Sequence, residues 1–422
     1  EDMVKALAEP IFRAADLTPG DIDVYLVRSD VLNAFVAGGQ NLFLNTGLVV
    51  RTETPEQLAG VIAHETGHIA GGHLSRLSQQ AERATYQTLL GMVLGGLAAA
   101  AGAPEVGTAL MYGGLTVGQR ELLAFSRDQE RLADQAAINY LATLRLSPRG
   151  MLEFFRTLEG QNLRIAGEGN VFLRTHPLTR ERIGYLETQL QQSPYRDRTL
   201  EPAIRNAHAR ARAKLEAFLA DPQAVLAKHT GDGFVDRYAR AIALYRIPEL
   251  AQALSLVDQL VKERPDDPFL HELKGQMLFE NGRVKDAIPP YREAQRLRPD
   301  TALIRFGLAR AIMEQPGAKP SPEAASLLRE AARIEPNNAT VWRFLGIAEG
   351  QVGNTGAAEL ALTEAAVLTN QKREAERHLA RAQQLVKPAD PAWLRLQDLG
   401  RAVEDMEEPK PPPPDRRRRA WP

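Results

Sequence analysis

Five residues constrain this chain more than any others: His64-Glu65-Thr66-Gly67-His68, flanked by Leu58-Ala59-Gly60-Val61-Ile62-Ala63 and Ile69-Ala70. Two imidazoles four positions apart share a face only if the segment is an α-helix. Upstream, Thr54-Pro55-Glu56-Gln57 suits a helix start, with Thr54 as N-cap, Pro55 in the first position and Gln57 at the capping-box position. The spacing therefore predicts one helix entering at Pro55 and running through both histidines.

Such a pair can grip a single Zn²⁺, one per chain. Glu65, one residue after the first imidazole, brings a carboxylate beside the metal rather than onto it. There it can take a proton from water that the metal activates, the general-base role of a zinc metalloendopeptidase. The chain has eight histidines in 422 residues. A chance H-E-x-x-H at that composition is about a one-in-a-hundred event, so ordinary surface histidines are the poorer account.

Catalytic zinc takes three protein ligands and keeps a fourth position open. Three residues compete for the third place. His73 follows Gly71, which sits where metzincins (H-E-x-x-H-x-x-G-x-x-H) carry glycine, but their third-ligand position falls on Leu74. On a continuing helix His73 lies about 140° around from His68 and reads as structural. Glu130, in Ser126-Arg127-Asp128-Gln129-Glu130-Arg131-Leu132-Ala133-Asp134, fits better. On a second helix it can bind zinc while Asp134, one turn on, hydrogen-bonds a ligand imidazole and fixes its tautomer. His176, in Thr175-His176-Pro177, is by itself a turn histidine of structural type.

A chain of this length calls for two or three domains. Residues 1–18 predict a short helix, followed by strand-like runs at Val24–Val27, Ala34–Val36 and Asn41–Leu44 with Gly38-Gly39 as a turn. After Asn45-Thr46-Gly47 the pattern is helical almost throughout. The stretch 84–118 holds one charge, Glu105, but is dominated by Gly and Ala. It is expected to be a buried or surface-lying helical hairpin rather than a pair of spans, with peripheral membrane contact open. From residue 233 paired helices repeat: Pro265 and Pro299 are 34 residues apart, and Pro336 follows after 37, the excess falling in Gln315–Pro320. With small residues such as Gly275, Ala287, Gly307, Ala324 and Gly346 where helices cross, this is a tetratricopeptide array. The fold class is thus mainly α: a metalloprotease domain with a small β-sheet, then a helical solenoid. The expected divisions are 1–195 for the protease, 196–232 as helical linker, 233–388 for the repeats and 389–422 for a C-terminal helix and Pro/Arg-rich tail.

A formal net charge of −1 and the lack of a basic, aromatic-interleaved region exclude nucleic acid as an expected partner. With no cysteines, neither disulfides nor thiolate zinc sites are available. A start at Glu1-Asp2-Met3 is what removal of a secretory leader would leave, and equally what a trimmed chain would show.

Taken together, these residues resemble the gluzincin group of HtpX, Oma-type and CAAX prenyl proteases. The resemblance runs from Asn33 to Ile183 on Asn33-Ala34-Phe35, Asn45-Thr46-Gly47, His64–His68, Glu130–Asp134, and Thr175-His176-Pro177 with Arg182. The added repeats make the chain similar to the BepA-like group, periplasmic proteases and chaperones of outer-membrane protein assembly. The resemblance implies His64, His68 and Glu130 as ligands, Glu65 as base and Asp134 as a support beneath the ligands. It implies His176 at the metal's open position in a latent state, with His176 or Arg182 steadying the oxyanion during turnover. It also implies protein or peptide substrates, recruitment of clients or assembly machinery through the repeats, and periplasmic localisation. Asn41–Leu44 is then expected as an extended edge beside the cleft that aligns substrate as one more strand. Two alternatives accompany this reading: a membrane-embedded HtpX-like protease, and a repeat scaffold whose protease is chiefly latent.

Overall fold

The computed structural model describes residues 2–38, 40–73, 76, 126–162, 172 and 176–406. The chain divides into two compact units, Glu1–Asp221 and Pro222–Pro422. The predicted hairpin at 84–118, Thr175 and the tail from 407 lie outside the described residues.

In the first unit, helix α1 (Asp2–Ala14) leads through a 3-10 turn at Pro19–Asp21 into a three-stranded sheet, β1 (Val24–Val27), β2 (Ala34–Ala37) and β3 (Asn41–Asn45). The order is β1-β3-β2, with β1 parallel and β2 antiparallel to β3. Gly38, at φ +59°, makes the hairpin turn between β2 and β3 in a conformation that disfavours other residues. The strand alternation sends Leu42 and Leu44, both fully buried, to the core. On the other face Phe43 stacks between Tyr25 and Phe35 with both centroid distances 5.0 Å. The register pairs both rings directly with Phe43, which pins strand alignment by cross-strand aromatic contact. One expectation fails here. Asn41–Leu44 is the central strand, hydrogen-bonded on both sides, so its edges are taken and it cannot accept a substrate strand.

After α2 (Thr46–Arg51), α3 (Pro55–Ala70) carries the two histidines. Thr54 caps it by accepting from the Gln57 N–H, and Gln57 Oε1 in turn accepts from the Glu53 N–H. Thirteen of its sixteen residues are buried, as the apolar run Leu58–Ala63 requires of a helix enclosed on most sides. Helix α4 (126–143) crosses it at Gly67, where a β-carbon would lie 2.9 Å from the Ala133 carbonyl oxygen. Any larger residue there would hold the two backbones apart, so Gly67 sets how closely α4 can approach. Helix α5 (Arg149–Asn162) packs on α3 and on α6 (Arg180–Gln192).

Helix α7 (Pro202–Leu219) packs against α1, α2 and α3 within the first unit. Its His208, 2 % exposed, donates through Nε2 to Thr52 Oγ1 at 3.1 Å, while the Thr52 hydroxyl donates to the Val49 carbonyl at 3.0 Å. Burial, with Arg212 nearby, pushes the His208 imidazole down to about 4. Its folded state is therefore neutral where the unfolded chain, with a pKa near 6.5, begins to take up protons. The unfolded state binds more protons between those values, so stability falls as pH drops from about 6.5 to about 4, by up to about 3 kcal/mol. Denaturant titrations at pH 7.5 and 4.5 are expected to show a smaller pH dependence for His208→Gln than for the wild type. Parallel curves would remove this residue from the acid sensitivity.

In the second unit, Pro222–Lys228 precedes Phe234–Arg246, Leu250–Glu263, Pro268–Glu280, Val284–Leu297, Ala302–Glu314, Pro322–Ile334, Ala339–Gln351, Thr355–Leu368, Lys372–Leu385 and Trp393–Glu404. Successive helices pack on one another, as a solenoid requires. The repeat is visible in its turns. His271 Nε2 donates to the Pro265 carbonyl at 2.8 Å, Arg305 Nε to the Pro299 carbonyl at 2.5 Å, and Trp342 Nε1 to the Pro336 carbonyl at 2.7 Å. Each donor stands six residues after its proline. Asp267, Ser321 and Asn338 supply N-caps for the helices that follow them. The small residues have a steric reason: β-carbons on Gly275 and Gly307 would lie 2.9 and 2.6 Å from the Tyr291 ring, which is wedged between them.

Candidate metal centre

Helix α3 presents His64 and His68 on one side, with their Nε2 atoms 3.1 Å apart. The close crossing at Gly67 brings Glu130 of α4 against both: its Oε2 lies 3.3 Å from His64 Nε2 and its Oε1 3.3 Å from His68 Nε2. His176 comes from the turn before α6. Its Nδ1 sits 3.1 Å from Glu130 Oε1 and 3.3 Å from His64 Nε2. One ligand atom each from His64, His68, Glu130 and His176 lies within 4.8 Å of the others.

The second nitrogen of His64 is occupied. Nδ1–H donates to Asp134 Oδ1 at 2.9 Å, which leaves the Nε2 lone pair aimed at the cluster. Asp134, one turn past Glu130, is gripped by Arg182 through Nε at 2.6 Å and Nη2 at 2.8 Å. Arg182 Nη1 also reaches Glu130 Oε2 at 2.9 Å and the Pro177 carbonyl at 2.8 Å. Its guanidinium stacks 4.8 Å over the Phe155 ring. Both Arg182 and the carboxylates it holds are buried, so the cation compensates two charges that water cannot reach.

Glu65 is buried beside this group. Its Oε1 has no hydrogen-bond partner, and His176 Nε2 lies 3.4 Å from it. Burial raises the Glu65 carboxyl above the ordinary carboxylate range, against the lowering effect of His176 and His64. At His64, burial would lower the imidazole, but hydrogen bonds to Asp134 and Glu130 prevail and raise it to about 10. Burial holds His68 down to about 3. Glu130 lies far below the usual range despite its burial, through hydrogen bonds from His176, His64 and His68. At His64 the carboxylates thus outweigh desolvation, whereas at His68 desolvation prevails. Three nitrogens and a carboxylate converging in such a field form a donor set suited to one Zn²⁺.

Every residue singled out from sequence for the site, namely His64, Glu65, His68, Glu130, Asp134, His176 and Arg182, lies in this one buried cluster. His73 is outside the donor set, but it is 4 % exposed and its Nδ1 lies 2.9 Å from His68 Nδ1. That contact was invisible to a helical projection, because the helix stops before His73. Phe155 and Phe172 were also not foreseen. Phe172, four residues before His176, lies 4.7 Å from its ring.

Residues 1–190 match Peptidase family M48, and residues 238–302 and 273–316 match the tetratricopeptide repeat. The first unit carries an M48 metallopeptidase domain. The chain is similar to the beta-barrel assembly-enhancing protease of Yersinia pestis, 26 % identical over 372 residues, covering 86 % of this chain and 75 % of that protein. It is likewise similar to the beta-barrel assembly-enhancing protease of Escherichia coli (strain K12), 25 % identical, covering 86 % of this chain and 74 % of that one. It is also similar to the mitochondrial metalloendopeptidase OMA1 of Schizosaccharomyces pombe, 26 % identical over 180 residues, 42 % of this chain and 49 % of that protein. The enzyme is therefore a zinc-dependent metalloprotease with C-terminal tetratricopeptide repeats. Among the described residues, no helix is long and apolar enough to cross a membrane.

Proposed function

We propose that this metalloprotease is an endopeptidase that cleaves misassembled envelope proteins in the periplasm, with the repeats recruiting clients or the outer-membrane assembly machinery. The observation that carries the chemistry is the convergence of His64, His68 and Glu130 beside a buried Glu65 oxygen that makes no hydrogen bond. The cellular setting is supported by the names of the Yersinia and Escherichia relatives, which tie them to β-barrel assembly.

His64, His68 and Glu130 would hold zinc, whose Lewis acidity acts on water and on the scissile carbonyl. Glu65 takes the proton from the attacking water and returns it to the leaving amine nitrogen. Its burial suits both steps, because a raised carboxyl is a stronger base and a better proton carrier near neutral pH. Asp134 keeps His64 in the Nδ1–H tautomer, and Arg182 braces Asp134 and Glu130 together. The Arg182 guanidinium is committed to these partners, so its role here is bracing and not an oxyanion contact. We read His176, whose ring lies among these donors, as the group that would occupy the metal's open position in a latent enzyme, so that the His176 turn must move to admit substrate. Substrate would add to the sheet at β2, whose outer edge has no partner strand among the described residues and whose neighbour is α3.

The test is incubation of the full chain with an unfolded outer-membrane β-barrel protein. Internal cleavage is expected, to cease with a chelator and to return with Zn²⁺. His176→Ala is expected to cleave faster than the wild type, by about tenfold if about 1.4 kcal/mol of closure is removed. A slower His176→Ala would make this residue a participant in turnover instead of a plug. Absence of chelator-sensitive cleavage in both proteins would reject the function.

A further inference from the structure

Resting on the zinc reading of His64, His68 and Glu130, we propose that His73 is a positioning residue that fixes the ring and tautomer of His68. His68 Nε2 faces the donor cluster, 3.1 Å from His64 Nε2 and 3.3 Å from Glu130 Oε1. Its other nitrogen, Nδ1, faces away and meets His73 Nδ1 at 2.9 Å. A histidine that offers Nε2 as a lone pair carries its proton on Nδ1, so His68 donates and the His73 Nδ1 lone pair accepts. His73 then holds its own proton on Nε2. It does for His68 what Asp134 does for His64, with a neutral acceptor in place of a carboxylate.

The backbone is built to deliver this ring. Helix α3 ends at Ala70, where Gly71 caps it with its N–H on the Gly67 carbonyl at 2.9 Å. Gly72 follows at φ +59°, the left-handed conformation that turns the chain back at a helix end. His73 is thereby folded back over the last turn instead of continuing around the cylinder. Its ring occupies the place where a side chain on Gly71 would be: a β-carbon there would lie 2.4 Å from His73 Nε2 and 2.6 Å from Cδ2. Each of the two glycines thus has a separate reason to be glycine, and both reasons concern His73. The ring contact is edge-on, with centroids 4.9 Å apart and planes at 79°, which suits an in-plane nitrogen meeting an in-plane nitrogen.

The experiment compares the full-length wild type with His73→Ala, His73→Asn and Gly71→Ala. Two quantities are read: the rate at which bound zinc passes to a chromophoric chelator, and the visible spectrum of the Co²⁺-loaded protein. Asn places an acceptor oxygen near the position of Nδ1, and Gly71→Ala displaces the ring without removing it. His73→Ala and Gly71→Ala are expected to release zinc about 10- to 100-fold faster and to share a shifted Co²⁺ spectrum. His73→Asn is expected to return to within a few-fold of the wild type in both. Should His73→Ala fail to fold by circular dichroism, Gly71→Ala decides. Wild-type release and spectrum in His73→Ala or Gly71→Ala overturn the proposal while leaving the zinc reading intact. Failure of His73→Asn to rescue likewise reduces His73 to a packing residue. A wild type that binds no zinc overturns both.

Discussion

Glu65→Gln is expected to lower peptide hydrolysis by about 10²- to 10⁴-fold while the protein keeps its zinc. The substitution leaves the shape of the side chain but removes its ability to accept a proton. Glu65 contributes no donor to the metal cluster, so zinc content by atomic absorption should match the wild type. The same group shapes the acid limb of the pH–rate profile. A base must be deprotonated to act, so activity rises with pH through its pKa, and burial places that rise above the ordinary carboxylate range near 4.5. Cleavage at the wild-type rate in Glu65→Gln would remove Glu65 from the chemistry. Loss of zinc in that variant would show instead that Glu65 sustains the metal.

The second large effect falls on stability. Arg182 is the cation that meets both Asp134 and Glu130, and all three side chains are buried. Arg182→Ala removes the cation from two carboxylates in a medium that solvates them poorly, leaving them to their imidazole partners, and empties the space over Phe155. Breaking a buried pair from one side costs about 3–5 kcal/mol. For a unit of this size that corresponds to a fall in melting temperature of roughly 10 °C. Arg182→Lys is expected to recover only part of it, because an ammonium cannot make the forked contact to Asp134. Differential scanning calorimetry of the zinc-loaded protein checks both variants. An unchanged melting temperature in Arg182→Ala would show that the carboxylates do not depend on this cation.

How much of this was legible in the sequence depends on whether the signal is local. The cap at Thr54, the helix carrying His64 and His68, and the i, i+4 relation of Glu130 to Asp134 are all set within a few residues. The 34-residue repeat is local in the same sense, since each turn is closed by its own proline carbonyl. Even there, the bond repeats while the residue does not: His271, Arg305 and Trp342 share only an N–H at the right reach. A comparison of residue identities passes over that regularity. His73 shows the opposite failure. A helical projection placed it away from His68, but Gly71-Gly72 ends the helix and returns it, a consequence of backbone conformation that no periodicity encodes.

By itself, then, the sequence determined which residues gather at the site, because the H-E-x-x-H spacing and the E-x-x-x-D spacing each need only one helix to be meaningful. Tertiary structure alone decided how near those helices come, through the absence of a side chain at Gly67. It also decided that β3 lies inside its sheet and not at the edge, and that α7 docks on α1, α2 and α3. Strand order and helix docking are fixed by surfaces distant in the chain that must exclude water together, and no short window contains both partners.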